Sequence, residues 1–127
     1  PDYYYESCLL GWGAANLDSF DPEKLNQYRK SWNNTDTIRA MCDDYRAAIH
    51  FDWDLDKEDR NRCLEIPACV MWGKTGAMAK HFDVPATWIK NFSNIEKKPM
   101  EGGHFFPDQY PQETVRALVS FITNNVN

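Results

Sequence analysis

A chain of 127 residues, 43% apolar and 14% aromatic, has material for one ordinary folded domain and too little length for two. Its formal charge of -5, with Lys and Arg interleaved among Asp and Glu, excludes the clustered basic surface that a nucleic-acid partner requires. No apolar run approaches the ~18 residues of a membrane span, and the start Pro1-Asp2-Tyr3-Tyr4 lacks the parts of a signal peptide, so the sequence reads as soluble, cytoplasmic and without a membrane partner. The absence of an initiating Met points to a processed or truncated beginning.

In chain order, Tyr3 to Leu10 carries aromatic and aliphatic residues on most sides, as a helix buried by neighbours would, and Gly11-Trp12-Gly13 is expected to stop it. Asp21-Pro22-Glu23 is a helix start, with Asp21 capping the first amides and Pro22 where its missing donor costs nothing. Leu25, Tyr28 and Trp32 follow at helical spacing. Thr35 is expected to cap a third helix, with Ile38, Met41, Cys42 and Tyr45 on one face and Arg39, Asp43 and Arg46 on another. Asp52 to Glu65 mixes charges of both signs, as a solvated helix face does.

The composition then changes. Ile66-Pro67-Ala68-Cys69-Val70-Met71-Trp72-Gly73 is a short apolar run behind a proline, the pattern of a strand buried on both faces of a parallel sheet. A helix is expected from Val84 to Phe92, and a charged strand near a sheet edge from Asn94 to Met100. Glu101-Gly102-Gly103-His104 then leads to a helix with Val115, Leu118, Val119 and Ile122 on one face, expected to pack. Cys8, Cys42, Cys63 and Cys69 form no C-x-x-C pair and read as reduced, mostly buried thiols. His50 and Asp52 have no further ligand cluster, His81 reads as solvated in a polar loop, and Cys42 has no neighbouring His or helix N-terminus to activate it. No metal or cofactor is called for.

The order is three helices without a strand over residues 1–51, then helix, strand, helix, strand, helix over residues 52–127. The second part is the tail of a doubly wound or hydrolase-type sheet. Two parallel strands do not make a stable sheet alone, so a larger fold or a second copy of the chain is expected to supply their neighbours. His104, delivered by two glycines between a strand and a helix, is presented as a catalytic base would be. A base needs a nucleophile and an orienting carboxylate. The turn that presents a nucleophile in such folds requires glycines four residues apart. Gly11, Gly13, Gly73, Gly76, Gly102 and Gly103 offer no such pair.

Taken together, Tyr4, Glu6-Ser7-Cys8-Leu9-Leu10-Gly11-Trp12-Gly13, Phe20-Asp21-Pro22-Glu23, Cys42-Asp43-Asp44-Tyr45-Arg46-Ala47, Ile66-Pro67-Ala68 and Gly102-Gly103-His104-Phe105-Phe106 resemble the C-terminal half of haloacetate dehalogenases. The resemblance covers nearly the whole chain and is strongest to the fluoroacetate-cleaving enzymes of the α/β-hydrolase fold. It implies an α/β class with a helical cap segment at 1–51 and the C-terminal part of the core at 52–127. It further implies a small haloacid substrate, an Asp nucleophile outside this sequence, and His104 as the base that activates water on the Asp ester. Many relatives carry the acid that orients this His where Trp72-Gly73-Lys74-Thr75-Gly76-Ala77 has no carboxylate. The fluoroacetate type carries it before the cap, which assigns it, with the substrate arginines, to the missing half. By the same resemblance, Tyr45 would donate a hydrogen bond to the departing halide and Trp12 would lie near the pocket entrance. An epoxide hydrolase or esterase of the same fold, and a non-catalytic dimerising or binding module derived from it, remain as alternatives.

Overall fold

A computed structural model describes residues 1–13 and 16–125. Its first part is helical: α1 (Asp2–Gly13), a 3₁₀ turn (Leu17–Ser19), α2 (Pro22–Trp32), α3 (Thr35–Ala47), a π turn (Ala48–Asp52) and α4 (Trp53–Asp59). Then follow β1 (Ala68–Gly73), α5 (Ala77–His81), α6 (Val84–Trp88), β2 (Ile95–Met100), α7 (Phe106–Gln109) and α8 (Pro111–Asn125).

Helix α2 starts as its sequence dictates, with one Asp21 carboxylate oxygen accepting from the Glu23 and Lys24 amides at 3.0 Å each. Helix α3 is capped one residue earlier than expected. The Asn34 side chain accepts from the Asp36 and Thr37 amides at 2.9 and 3.3 Å, leaving Thr35 as the first helical residue. Asn ranks above Thr as a cap, and it has the more favourable register here. Helix α1 continues through Gly11 and Trp12 and ends at Gly13, the last residue of the motif expected to stop it. A helical glycine costs only about 1 kcal/mol. The Trp12 carbonyl, an orphan at the helix end, is satisfied by the His104 amide at 3.3 Å.

The helices close over Leu9, Phe20, Leu25 and Trp32, all buried, with Tyr5, Leu17 and Phe105 packed against them. Tyr5 stacks on Trp32 at 5.2 Å, and Glu6 binds Arg29 at 2.5 Å. The Trp32 indole donates to the Asp2 carboxylate at 2.6 Å. That bond, with a second from Asn33, holds the Asp2 carboxyl below the usual value of 3.8. The rest of α1 is not buried as its composition suggested: Tyr3 is 89% exposed and Tyr4 66%.

Strands β1 and β2 are parallel, in register from Ala68 opposite Ile95 to Gly73 opposite Met100, and among the described residues each pairs only with the other. Of β1 only Val70 and Gly73 are buried, so the strand is not covered on both faces by these residues. The crossover contains two short helices where one was expected. Asp83 caps the second, accepting from the Ala86 amide at 3.2 Å, and His81 ends the first on an exposed helical turn instead of a loop. Helix α4 is the solvated segment its charges foretold, with Lys57 on Asp54 at 2.8 Å. Helix α8 buries Thr114 and Ala117, whereas Val115, Leu118, Val119 and Ile122 are 42–56% exposed. The apolar face expected to pack is therefore uncovered. The four cysteines are free thiols as expected, but none is buried.

Where β1 ends, backbone meets backbone. A Cβ added to Gly73 would lie 1.9 Å from the Gly103 carbonyl oxygen, and one on Gly76 would lie 2.7 Å from the His104 amide nitrogen. Neither neighbour is a flexible side chain that could swing aside. Gly102 has φ +95°, a conformation that side-chain-bearing residues rarely adopt. Gly73→Ala is therefore expected to destabilise the protein by at least 1–3 kcal/mol, in the order of overpacking costs. Gly11→Ala, with nothing within 4 Å of the added methyl, should stabilise it by about 0.5–1 kcal/mol. Urea unfolding of both variants tests the contrast, and equal stabilities would refute it.

Candidate functional site

The turn that follows β2 is held from three sides. From the loop after β1, the Lys74 amide donates to the Met100 carbonyl at 2.9 Å and the Thr75 amide to the Gly102 carbonyl at 3.0 Å, while Lys74 and Glu101 form an ion pair. From α7, the Gln109 side-chain oxygen accepts the Gly103 amide at 2.7 Å. From α1 comes the Trp12 carbonyl already described. The result is one exposed imidazole on a fixed main chain.

The His104 ring stands edge-on to Trp12 at 6.1 Å and to Phe105 at 5.0 Å, and Phe105 in turn contacts Phe20 at 6.3 Å. The imidazole thus borders the helical core and opens on a cavity of about 620 Å³. Tyr4, Cys8 and Trp12 from α1, Cys42 and Tyr45 from α3, and His104 all line it. The three residues singled out in the sequence, Trp12, Tyr45 and His104, are therefore brought together although they span 92 positions. Tyr45 is 69% exposed and Trp12 49%, so neither is an ordinary core aromatic.

Two phenols nearby are perturbed. The charge of the Cys8 thiol is the main cause that raises Tyr4 above its usual 10.0, with smaller contributions from burial and from Tyr45. Tyr28 on α2 is raised chiefly by burial, and then by its hydrogen bond to the Asp108 carboxylate of α7, at 3.1 Å to either oxygen. This bond ties α2 to the short helix that carries Gln109.

The cavity offers an imidazole, four phenols, two indoles and two thiols. Among the described residues lining it there is no carboxylate to orient the imidazole. No group of three or more His, Cys, Asp or Glu placed to hold a metal occurs among the described residues, and His50 and Asp52 sit exposed on the π turn. Gln109, Tyr4 and Cys8 were not singled out from the sequence. Gln109 carried one signal, its place just behind Pro107, where a short helix can point it back at the loop.

A parallel strand–helix–strand followed by a Gly-Gly-His turn and a helix is the C-terminal part of an α/β-hydrolase fold. The chain is 41% identical over 124 residues to a fluoroacetate dehalogenase from Burkholderia sp, a match that covers 98% of this chain and 41% of that protein. The structure of ALR0039 from Nostoc sp PCC 7120, provisionally assigned as an α/β hydrolase, matches with a TM-score of 0.89 and 34% identity over 97% of this chain and 42% of that one. A Pseudomonas aeruginosa protein, provisionally assigned as an epoxide hydrolase, matches with 0.79 and 27% over 98% and 40%. No family model matches the chain. The chain spans about two-fifths of the length of these relatives.

The Tyr28–Asp108 bond generates a pH prediction. A phenol whose folded pKa is raised contributes stability below its ordinary value near 10.0 and loses it as pH rises through the folded value. Tyr28→Phe should cost about 0.5–1 kcal/mol at neutral pH, at the low end for a charged bond because the pair is solvent-exposed. The gap between wild type and variant should narrow above pH ~10. Denaturation at both pH values checks this, and a gap that stays constant would contradict it.

Proposed function

We propose that residues 1–51 supply the cap segment, and residues 52–127 the C-terminal part of the core, of a haloacetate dehalogenase-like hydrolase. An Asp from polypeptide outside these residues attacks the α-carbon of a small haloacid. Halide leaves, and an ester remains on the Asp. His104 removes a proton from water, which attacks the ester carbonyl and frees the hydroxyacid. Tyr45 donates a hydrogen bond to the departing halide, help that fluoride needs most because it is a poor leaving group. Trp12 borders the entrance. The chemistry requires no metal or cofactor.

The observation that carries this reading is the shared cavity: Trp12, Tyr45 and His104 line it together in a chain 41% identical to a fluoroacetate dehalogenase. The open edges of the two-stranded sheet and the uncovered face of α8 support completion by the remainder of the fold. A second copy of the chain is the alternative occupant, and it would make the assembly a homodimeric binding module. An epoxide hydrolase is a second enzymatic reading, favoured by the likeness to the P. aeruginosa protein. In that case His104 keeps its role and the substrate changes.

The test uses the protein carrying its complete fold. With fluoroacetate or chloroacetate, His104→Asn should release about one halide per protein and retain the mass of a carboxymethyl group on the nucleophile, because only hydrolysis is lost. An intact mass that shows no adduct would sink the assignment. Tyr45→Phe should slow fluoride release more than bromide release, on the order of tenfold for one hydrogen bond. Equal losses for both halides would remove Tyr45 from the reaction.

A further inference from the structure

Four thiols are free, and two of them, Cys8 on α1 and Cys42 on α3, line the cavity that His104 opens on. Neither thiol has a place in the reaction above. We propose that this cavity is a site of covalent modification, at which Cys8 or Cys42 is alkylated by a small α-halocarbonyl compound and access to His104 is thereby closed. The two cysteines enter from different helices, so an adduct on either would project into shared space. At about 620 Å³ the cavity is of a size that takes small molecules. Among the described residues no Lys, Arg, Asp or Glu lines it, so the thiols are its principal nucleophiles besides His104. In the step, sulfur attacks the α-carbon, the C–S bond forms, the carbon–halogen bond breaks, halide departs with its electron pair, and the thiol proton passes to solvent. Bromide and iodide leave readily, whereas fluoride does not, so a fluoroacid would spare the thiols.

The remaining residues provide internal controls. Cys63 is exposed and does not line the cavity. Cys69 lies half-buried on β1, its thiol pushed up by burial and by Glu96, which lowers its reactivity. His50 and His81 are exposed and do not line the cavity either.

The proposal rests on the dehalogenase reading only in its choice of electrophile, so the experiment reads accessibility and not turnover. The full-length protein is treated with iodoacetamide, which has no carboxylate for a substrate clamp, and then with diethylpyrocarbonate, and both labels are mapped on peptides. Alkylation at Cys8 or Cys42 should slow carbethoxylation of His104 several-fold and leave His50 and His81 unchanged. A Cys8→Ser/Cys42→Ser variant should keep His104 reactive, and each single variant should lose part of the protection. The same pattern in a protein that releases no halide supports the modification site and overturns only the dehalogenase reading. Labels confined to Cys63 and Cys69, or a His104 rate unaffected by labelled cavity thiols, would overturn the proposal.

Discussion

Main chain pressed against main chain at Gly73 and Gly103 is the contact on which the site depends. A methyl group on Gly73 would come within 1.9 Å of a carbonyl oxygen that is itself fixed by the turn. The close approach is what lets β1 and the loop after it grip the far end of β2 through the Lys74 and Thr75 amides. Everything downstream inherits that grip: the left-handed Gly102, the Gly103 amide held by Gln109, and the imidazole of the next residue. A histidine on an unconstrained loop would lose side-chain and backbone entropy each time it reached a reactive geometry. Here most of that ordering is completed on folding.

The second constraint joins the two parts of the chain. Phe105 sits against Phe20 in the helical core, while its neighbour His104 is bonded through its amide to the end of α1. The cavity therefore has one wall from the helices and its base from the sheet loop. Surface ion pairs such as Lys57–Asp54 and Arg116–Glu113 contribute little to holding this arrangement, ~0–1 kcal/mol each. Burial matters more, and it is incomplete. Val115, Leu118, Val119 and Ile122 remain about half exposed, and each such side chain forgoes part of the ~1.5–3 kcal/mol available on full burial. A sheet of two parallel strands with an apolar helix face left open is the surface that the proposed completion of the fold would cover, in a chain that spans about two-fifths of its relatives.

Much of this was readable in the residues, and the failures have physical causes. Asp21-Pro22 fixed the start of α2 because capping is local chemistry, and the apolar run to Gly73 marked β1 because periodicity and length agree there. Gly11-Trp12-Gly13 ends α1 as expected, though only at its last residue, and the Trp12 carbonyl there is satisfied by His104, 92 residues away. Thr35 lost the cap to Asn34 through a preference of less than 1 kcal/mol between adjacent residues. In α1, β1 and α8, and at the cysteines, these residues alone cover less than the apolar pattern suggests, because periodicity shows which face is apolar and not what covers it. Of the candidate site, His104 was singled out through its glycines, and its role remains part of the proposal. Tyr45 and Trp12 were legible only through resemblance, since nothing local ties them to His104. Gly73 and Gly76 were read for the nucleophile turn they do not form, and their actual partner, the Gly103 backbone, is a tertiary contact that no local pattern encodes.

The account stands on His104 being held in contact with the cavity wall and not merely tethered near it. The most direct measurement is the nuclear Overhauser effect between the imidazole protons of His104 and the indole protons of Trp12 in the folded protein. Ring centres 6.1 Å apart and edge-on predict a clear cross-peak, accompanied by one to the Phe105 ring. Sharp imidazole resonances with no cross-peak to either ring would mean a freely rotating side chain and would contradict it.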